Sequence, residues 1–190
     1  MNGSGLRRTV RWQRLDRTGM ERATLWRSKG KWNIDARIET DLEGGLYRIR
    51  YRVSCDATWR TQAAWVTIKE GRTRQRLGLF VTEDGAWILN GKEQADLRGC
   101  IDIDLEISPA TNTLPIRRLD PKLGENREIQ VAWVRFPDLR VEPTRQRYTR
   151  VAERRYRFEN LESGYSVEIL VDDVGIVIDY PRLWSRAQNP

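Results

Sequence analysis

Tyr47-Arg-Ile-Arg-Tyr-Arg-Val-Ser-Cys55 alternates without a break. Tyr47, Ile49, Tyr51, Val53 and Cys55 fall on one side, Arg48, Arg50, Arg52 and Ser54 on the other. A period of two is the mark of a strand with unlike faces. Upstream, Glu43-Gly44-Gly45 reads as a hairpin turn. Before it, residues 31–40 alternate again, with Trp32, Ile34, Ala36 and Ile38 together. Residues 9–15 and 20–27 form a further pair around Asp16-Arg17-Thr18-Gly19. Downstream, the chain runs back from Trp59 to Ile68, and 73–82 pairs with 86–89 around Glu83-Asp84-Gly85. Residues 128–136, 165–171 and 175–180 supply more strands. Residues 145–158 also fit helical spacing through Tyr148, Val151, Ala152 and Tyr156, and the surrounding strands decide for strand. No stretch carries an apolar helical stripe over three turns. About a dozen short strands with regular turn signals predict an all-β domain. A sheet of that size rarely stays flat and curls into a barrel, a half-barrel or an open sandwich.

Gly99-Cys-Ile-Asp-Ile-Asp-Leu-Glu-Ile-Ser-Pro-Ala-Thr-Asn-Thr-Leu-Pro-Ile-Arg-Arg-Leu119 sits at the centre of the chain. Its first half alternates: Ile101, Ile103, Leu105 and Ile107 against Asp102, Asp104 and Glu106. Its second half is bracketed by Pro109 and Pro115, which cannot donate to a ladder. It reads as a polar loop, Thr111-Asn112-Thr113, ending on Arg117 and Arg118. A loop that only joins strands does not need that variety.

The 190 residues suit one domain spanning 1–190, long enough to bury a sizeable core. Val81-Thr-Glu-Asp-Gly85-Ala-Trp-Ile88 is similar to Val171-Asp-Asp-Val-Gly175-Ile-Val-Ile178, a hint of internal duplication over about 9–95 and 100–184. Mean hydropathy is −0.68, and no transmembrane segment is visible. The N-terminal Met-Asn-Gly-Ser-Gly-Leu-Arg-Arg has no apolar core, so no secretory leader is read and a cytoplasmic location is expected. Cys55 and Cys100 read as buried thiols, with a bridge between them open if their strands are adjacent. Histidine is absent, which excludes Ser-His-Asp and Cys-His catalysis and removes the commonest metal ligand. No metal or cofactor is expected. The net charge is +7, and 29 of the 34 basic residues are arginine. They are scattered among 27 acids, so no patch is visible and no nucleic acid is expected as a partner.

Three constellations carry candidate chemistry. Eight tryptophans and six tyrosines lie mostly in strands, where they fill a core or coat a groove. Asp102 and Asp104 leave one face roughly 6–7 Å apart, a spacing open to glycoside hydrolysis or to pairing with arginines across a ladder. Asp56-Ala-Thr-Trp59-Arg60-Thr61 and Thr111-Asn112-Thr113 offer directional hydrogen bonds beside a flat ring, which suits a sugar or phosphate and equally suits turn chemistry.

Five ordered motifs connect these residues: Cys55-Asp56-Ala-Thr-Trp59-Arg60-Thr61, Gly99-Cys100-Ile-Asp102-Ile-Asp104-Leu, Thr111-Asn-Thr-Leu-Pro-Ile-Arg-Arg118, Gln146-Arg-Tyr148 and Asp179-Tyr180-Pro181-Arg-Leu-Trp184. Together the chain resembles, from about Trp12 to Trp184, the bacterial family called putative glycolipid-binding proteins. The resemblance implies an open half-barrel of antiparallel strands, similar in shape to lipoprotein carriers, and a lipid or glycolipid ligand; peripheral membrane contact stays open. Asp56, Trp59, Arg60, Asp102, Asp104, Asn112, Arg117, Arg118 and Tyr148 are its candidate ligand contacts, and it supplies no catalytic residue. A carbohydrate-active enzyme using Asp102 and Asp104, and a non-catalytic scaffold, stay open beside that reading.

Overall fold

The computed structural model describes residues 6–187. Residues 1–5, part of the N-terminal stretch read above for a leader, and 188–190 lie outside the described residues. Fifteen strands are present among them: β1 (Arg7–Arg14), β2 (Gly19–Ser28), β3 (Lys31–Leu42), β4 (Gly45–Cys55), β5 (Thr61–Glu70), β6 (Thr73–Val81), β7 (Trp87–Leu89), β8 (Lys92–Glu93), β9 (Asp102–Leu105), β10 (Asn126–Val134), β11 (Val141–Ala152), β12 (Arg155–Asn160), β13 (Ser166–Val171), β14 (Val177–Tyr180) and β15 (Trp184–Arg186). They make one sheet in the order β8-β7-β6-β5-β4-β3-β2-β1-β15-β14-β13-β12-β11-β10-β9. All neighbours are antiparallel except β9 and β10.

The alternation read at 47–55 is obeyed in full: Tyr47, Ile49, Tyr51, Val53 and Cys55 are buried. Glu43 and Gly44 both take positive φ, 48° and 82°, as a two-residue hairpin turn requires. Residues 145–158 are strand, broken by a turn at Glu153-Arg154. The two similar turns at 82–86 and 172–176 share a backbone pattern. The first residue's N–H reaches the fifth residue's carbonyl at 2.9 Å, and the glycine N–H reaches the first residue's carbonyl at 3.0 Å.

The sheet curls strongly. β9 stands at one end of the strand order, yet it returns to β5: the Thr61 N–H donates to the Ile101 carbonyl at 3.2 Å, and the Ile103 N–H donates to Thr61 Oγ1 at 3.1 Å. β6 to β8 overhang that contact, so the sheet stays open. Its inner face is filled by the chain itself. Residues 95–119 cross it, and Leu97, Ile103, Leu105, Ile107, Ala110, Leu114 and Ile116 join the same core as Ile34, Ile49 and Val66. A gap of about 10 Å³ lies between Ala110 and Thr113 on one side and Trp12, Ala23 and Ile34 on the other.

That crossing segment departs from the sequence reading. The expected strand shrinks to β9, and the expected loop is helical. A 3₁₀ turn at Ala110–Asn112 leads into α1 (Thr113–Leu119). Pro115 is its third residue, where no intrahelical acceptor awaits an N–H. Asp120 ends it in the left-handed region at φ 37°. The residues after Tyr180 form β15, which pairs with β1. Cys55 and Cys100 are buried free thiols, so the bridge left open above is not made.

Candidate functional site

α1 turns its C-terminal end back on β9. Arg118 Nε donates to both oxygens of Asp102, at 3.0 and 3.1 Å, and its Nη2 donates to Oδ2 at 2.5 Å. Asp102 is wholly buried. Burial pushes its pKa up, and the hydrogen bonds and charge of Arg118 oppose that rise. The pair holds helix to strand, and both carboxylate oxygens are occupied. The expected pairing with an arginine is thus made for Asp102, from a helix rather than across a ladder, while Arg48 and Arg52 pair with Glu39 and Asp35.

Asp104, two residues on, has a different setting. It accepts from Gln146 Nε2 at 2.6 Å and Thr111 Oγ1 at 3.3 Å, with no salt bridge among the described residues. Burial raises its pKa to about 6, against those hydrogen bonds. It lines a cleft of about 180 Å³, together with Glu106, Ser108, Asn112, Trp133, Phe158, Asn160, Ser163, Tyr165, Tyr180, Leu183 and Trp184. Asn112 Oδ1 accepts from the Tyr148 hydroxyl at 3.0 Å, and its Nδ2 donates to the Pro109 carbonyl at 3.3 Å. Tyr148 is therefore a buried prop behind the cleft. Phe158 packs tilted against Tyr148, Tyr165 and Tyr180, at 5.4, 6.3 and 6.4 Å between ring centres. Tyr165 is the most open of these rings, 41% exposed.

Ser108 ties the cleft to a second buried acid. Its hydroxyl donates to Glu21 Oε1 at 2.8 Å, and the Tyr51 hydroxyl donates to the same oxygen at 2.6 Å. Among the described residues, Glu21 Oε2 is buried without a partner. Burial outweighs those bonds and raises the Glu21 pKa to about 8.

Asp56, Trp59 and Arg60 lie elsewhere. Asp56 Oδ1 accepts from the Thr58 N–H and hydroxyl, both at 2.8 Å, and from the Arg60 N–H at 3.0 Å. This caps a tight turn in which Trp59 takes φ +70°, an unusual value for a bulky residue. Stacking on Trp32 at 4.2 Å secures the ring, and the Arg117 guanidinium lies 5.8 Å from its centre. Arg117 opens on a separate polar recess with Asp120, Arg150 and Tyr156. Of the nine candidate contacts, Asp104 and Asn112 line the cleft and Tyr148 supports it; Arg117 and the other five are not in its lining. The sequence reading missed the aromatic wall, although Gln146-Arg-Tyr148 and Asp179–Trp184 were already marked as motifs.

The site is thus a recess in a curled, open β-sheet, walled by rings and hydrogen-bonding groups. The family described as putative glycolipid-binding matches residues 9–186, and the chain belongs to that family. It is also similar to the crystal structure of a DUF1089 family protein from Pseudomonas aeruginosa. The identity is 30% and the TM-score 0.79, covering 98% of this chain and 94% of that one. No curated protein matches it. Among the described residues no helix is long and apolar enough to cross a membrane.

Proposed function

We propose that the cleft takes the sugar head of a glycolipid. The observation that carries this is the composition of its wall, in which Tyr165, Tyr180 and Trp184 share the lining with Asp104, Asn112 and Asn160. Sugars ask for that combination, a flat apolar face against their C–H surface and directional partners for their hydroxyls. At about 180 Å³ the space is below the roughly 300–1,000 Å³ of sites for drug-sized ligands. It suits one sugar ring and leaves the acyl chain outside. A reading as a carbohydrate-active enzyme has less support, because Arg118 engages both oxygens of Asp102.

The test is tryptophan fluorescence titrated with octyl glucoside below its micelle concentration. Trp184 and Trp133 report on the cleft. Saturable quenching is expected, weakened roughly five- to tenfold by Tyr165→Ala, as loss of one aromatic contact implies. No saturable change, or equal affinity in the variant, overturns the proposal.

A further inference from the structure

The outer face of β1 to β6 carries an alignment that the linear sequence hides. Arg11 stands opposite Arg22, Arg22 opposite Arg37, and Arg37 opposite Arg50. Arg50 faces Thr67, and Thr67 faces Arg76. Five exposed arginines therefore form one straight row across six strands, about 24 Å long at the usual strand spacing. Among the described residues none of the five makes a salt bridge, although the rest of the chain is rich in them. Like charges directly opposite one another on a sheet are destabilising. The other rows of this face add Arg7, Lys31, Arg48, Arg52, Lys69 and Arg74 against Asp35, Glu39 and Asp41. Eleven cations and three acids give the face a surplus of eight, more than the net +7 of the whole chain. Within it Met20, Trp65 and Phe80 are 56, 53 and 47% exposed. Arg37, Arg50, Arg52 and Trp65 surround a shallow depression of about 380 Å³.

We infer that this face docks on an anionic phospholipid bilayer. The repulsion stored along the arginine row is relieved when lipid phosphates and carboxylates come between the guanidiniums, each of which binds such groups in bidentate fashion. The half-exposed methionine and rings enter the headgroup layer, where aromatic side chains settle. Curvature favours a bilayer over nucleic acid. The face is the outside of a curled sheet, with no walled groove to track a single strand, and it meets a duplex along a narrow line only. Lipids rearrange to follow a convex surface. This surface is distinct from the sugar cleft, so either proposal can fail alone.

The experiment is co-sedimentation with phosphatidylcholine vesicles containing roughly one third phosphatidylserine, and no glycolipid, against pure phosphatidylcholine. Binding is expected only to the anionic vesicles and weakens with salt. Arg37→Thr/Arg50→Thr should weaken it about 30-fold, since each basic residue near such a surface contributes about fivefold. Its melting temperature should not fall, because repulsion is removed. Arg22→Thr/Arg76→Thr serves as a second pair and should behave alike. Arg154→Thr/Arg155→Thr removes the same charge from exposed positions outside the face and should bind as wild type. The inference is overturned if wild type ignores the anionic vesicles, if both row variants bind as wild type, or if the control falls as far as they do. Tighter binding to a single-stranded oligoadenylate than to the vesicles overturns it too.

Discussion

Glu21→Gln should abolish a fall in stability that wild type suffers as pH rises. Glu21 is fully buried, and its pKa stands at about 8 in place of an ordinary 4.5. Between those values the folded chain keeps a proton that the unfolded chain has released, so stability falls with rising pH. The whole rise, at 1.36 kcal/mol per pH unit, is worth about 5 kcal/mol. About 4 kcal/mol of it is lost between pH near 5 and pH near 9. Glutamine keeps the shape and carries no charge at either end. Its oxygen can still accept from Tyr51 and Ser108. Its NH₂ lies where Oε2 lacks a partner, which costs about 1 kcal/mol at every pH and leaves the slope untouched. Urea unfolding across that range should show a steep decline for wild type and a much flatter curve for the variant, with the variant more stable near pH 9. Asp104 contributes a smaller decline of the same sign, ending near its pKa of about 6, in both proteins. Parallel curves for wild type and Glu21→Gln would refute the reasoning.

Two further outcomes follow from the buried groups. Asp102→Ala strands the Arg118 guanidinium, which is only 12% exposed, and should cost about 3–5 kcal/mol in urea unfolding. The double change Asp102→Leu/Arg118→Met should recover most of that loss, and no recovery would mean that the pair does more than hold α1 to β9. Burial raises the Cys55 thiol far above its usual range and the Cys100 thiol to about 12. Neither should react with Ellman's reagent in the folded protein near pH 8, and both should react in denaturant; prompt labelling without denaturant would contradict their burial.

The strands were legible wherever one face met the core and the other met water. β3 and β4 alternate cleanly because Ile34, Ile38, Ile49 and Val53 are buried while Arg37, Arg48 and Arg50 are exposed. The reading failed where both faces are covered. Asp102 looked like a solvent-facing acid in an alternating run, but Arg118 satisfies it inside the protein. α1 was hidden because seven residues are too few to show a stripe, and because Pro115 suggests a loop unless its place in the first turn is known. The cleft could not be assembled in advance. Its wall joins residues 104–112, Trp133, 158–165 and 180–184, brought together by the curl of the sheet. The arginine row escaped for a related reason. Arg11 to Arg76 look scattered along the chain, and only the register of six strands puts them in line.

The seam between β1 and β15 has a bearing on how the molecule is made. β1, the first strand of the sheet in chain order, takes β15 as its neighbour, joined by three residue pairs from Trp12 with Arg186 to Arg14 with Trp184. Until residues 184–186 have been synthesised, β1 is an unpaired edge open to other chains. The sheet is therefore complete only once residues 7–186 are all present, and its N-terminal half alone carries an open edge.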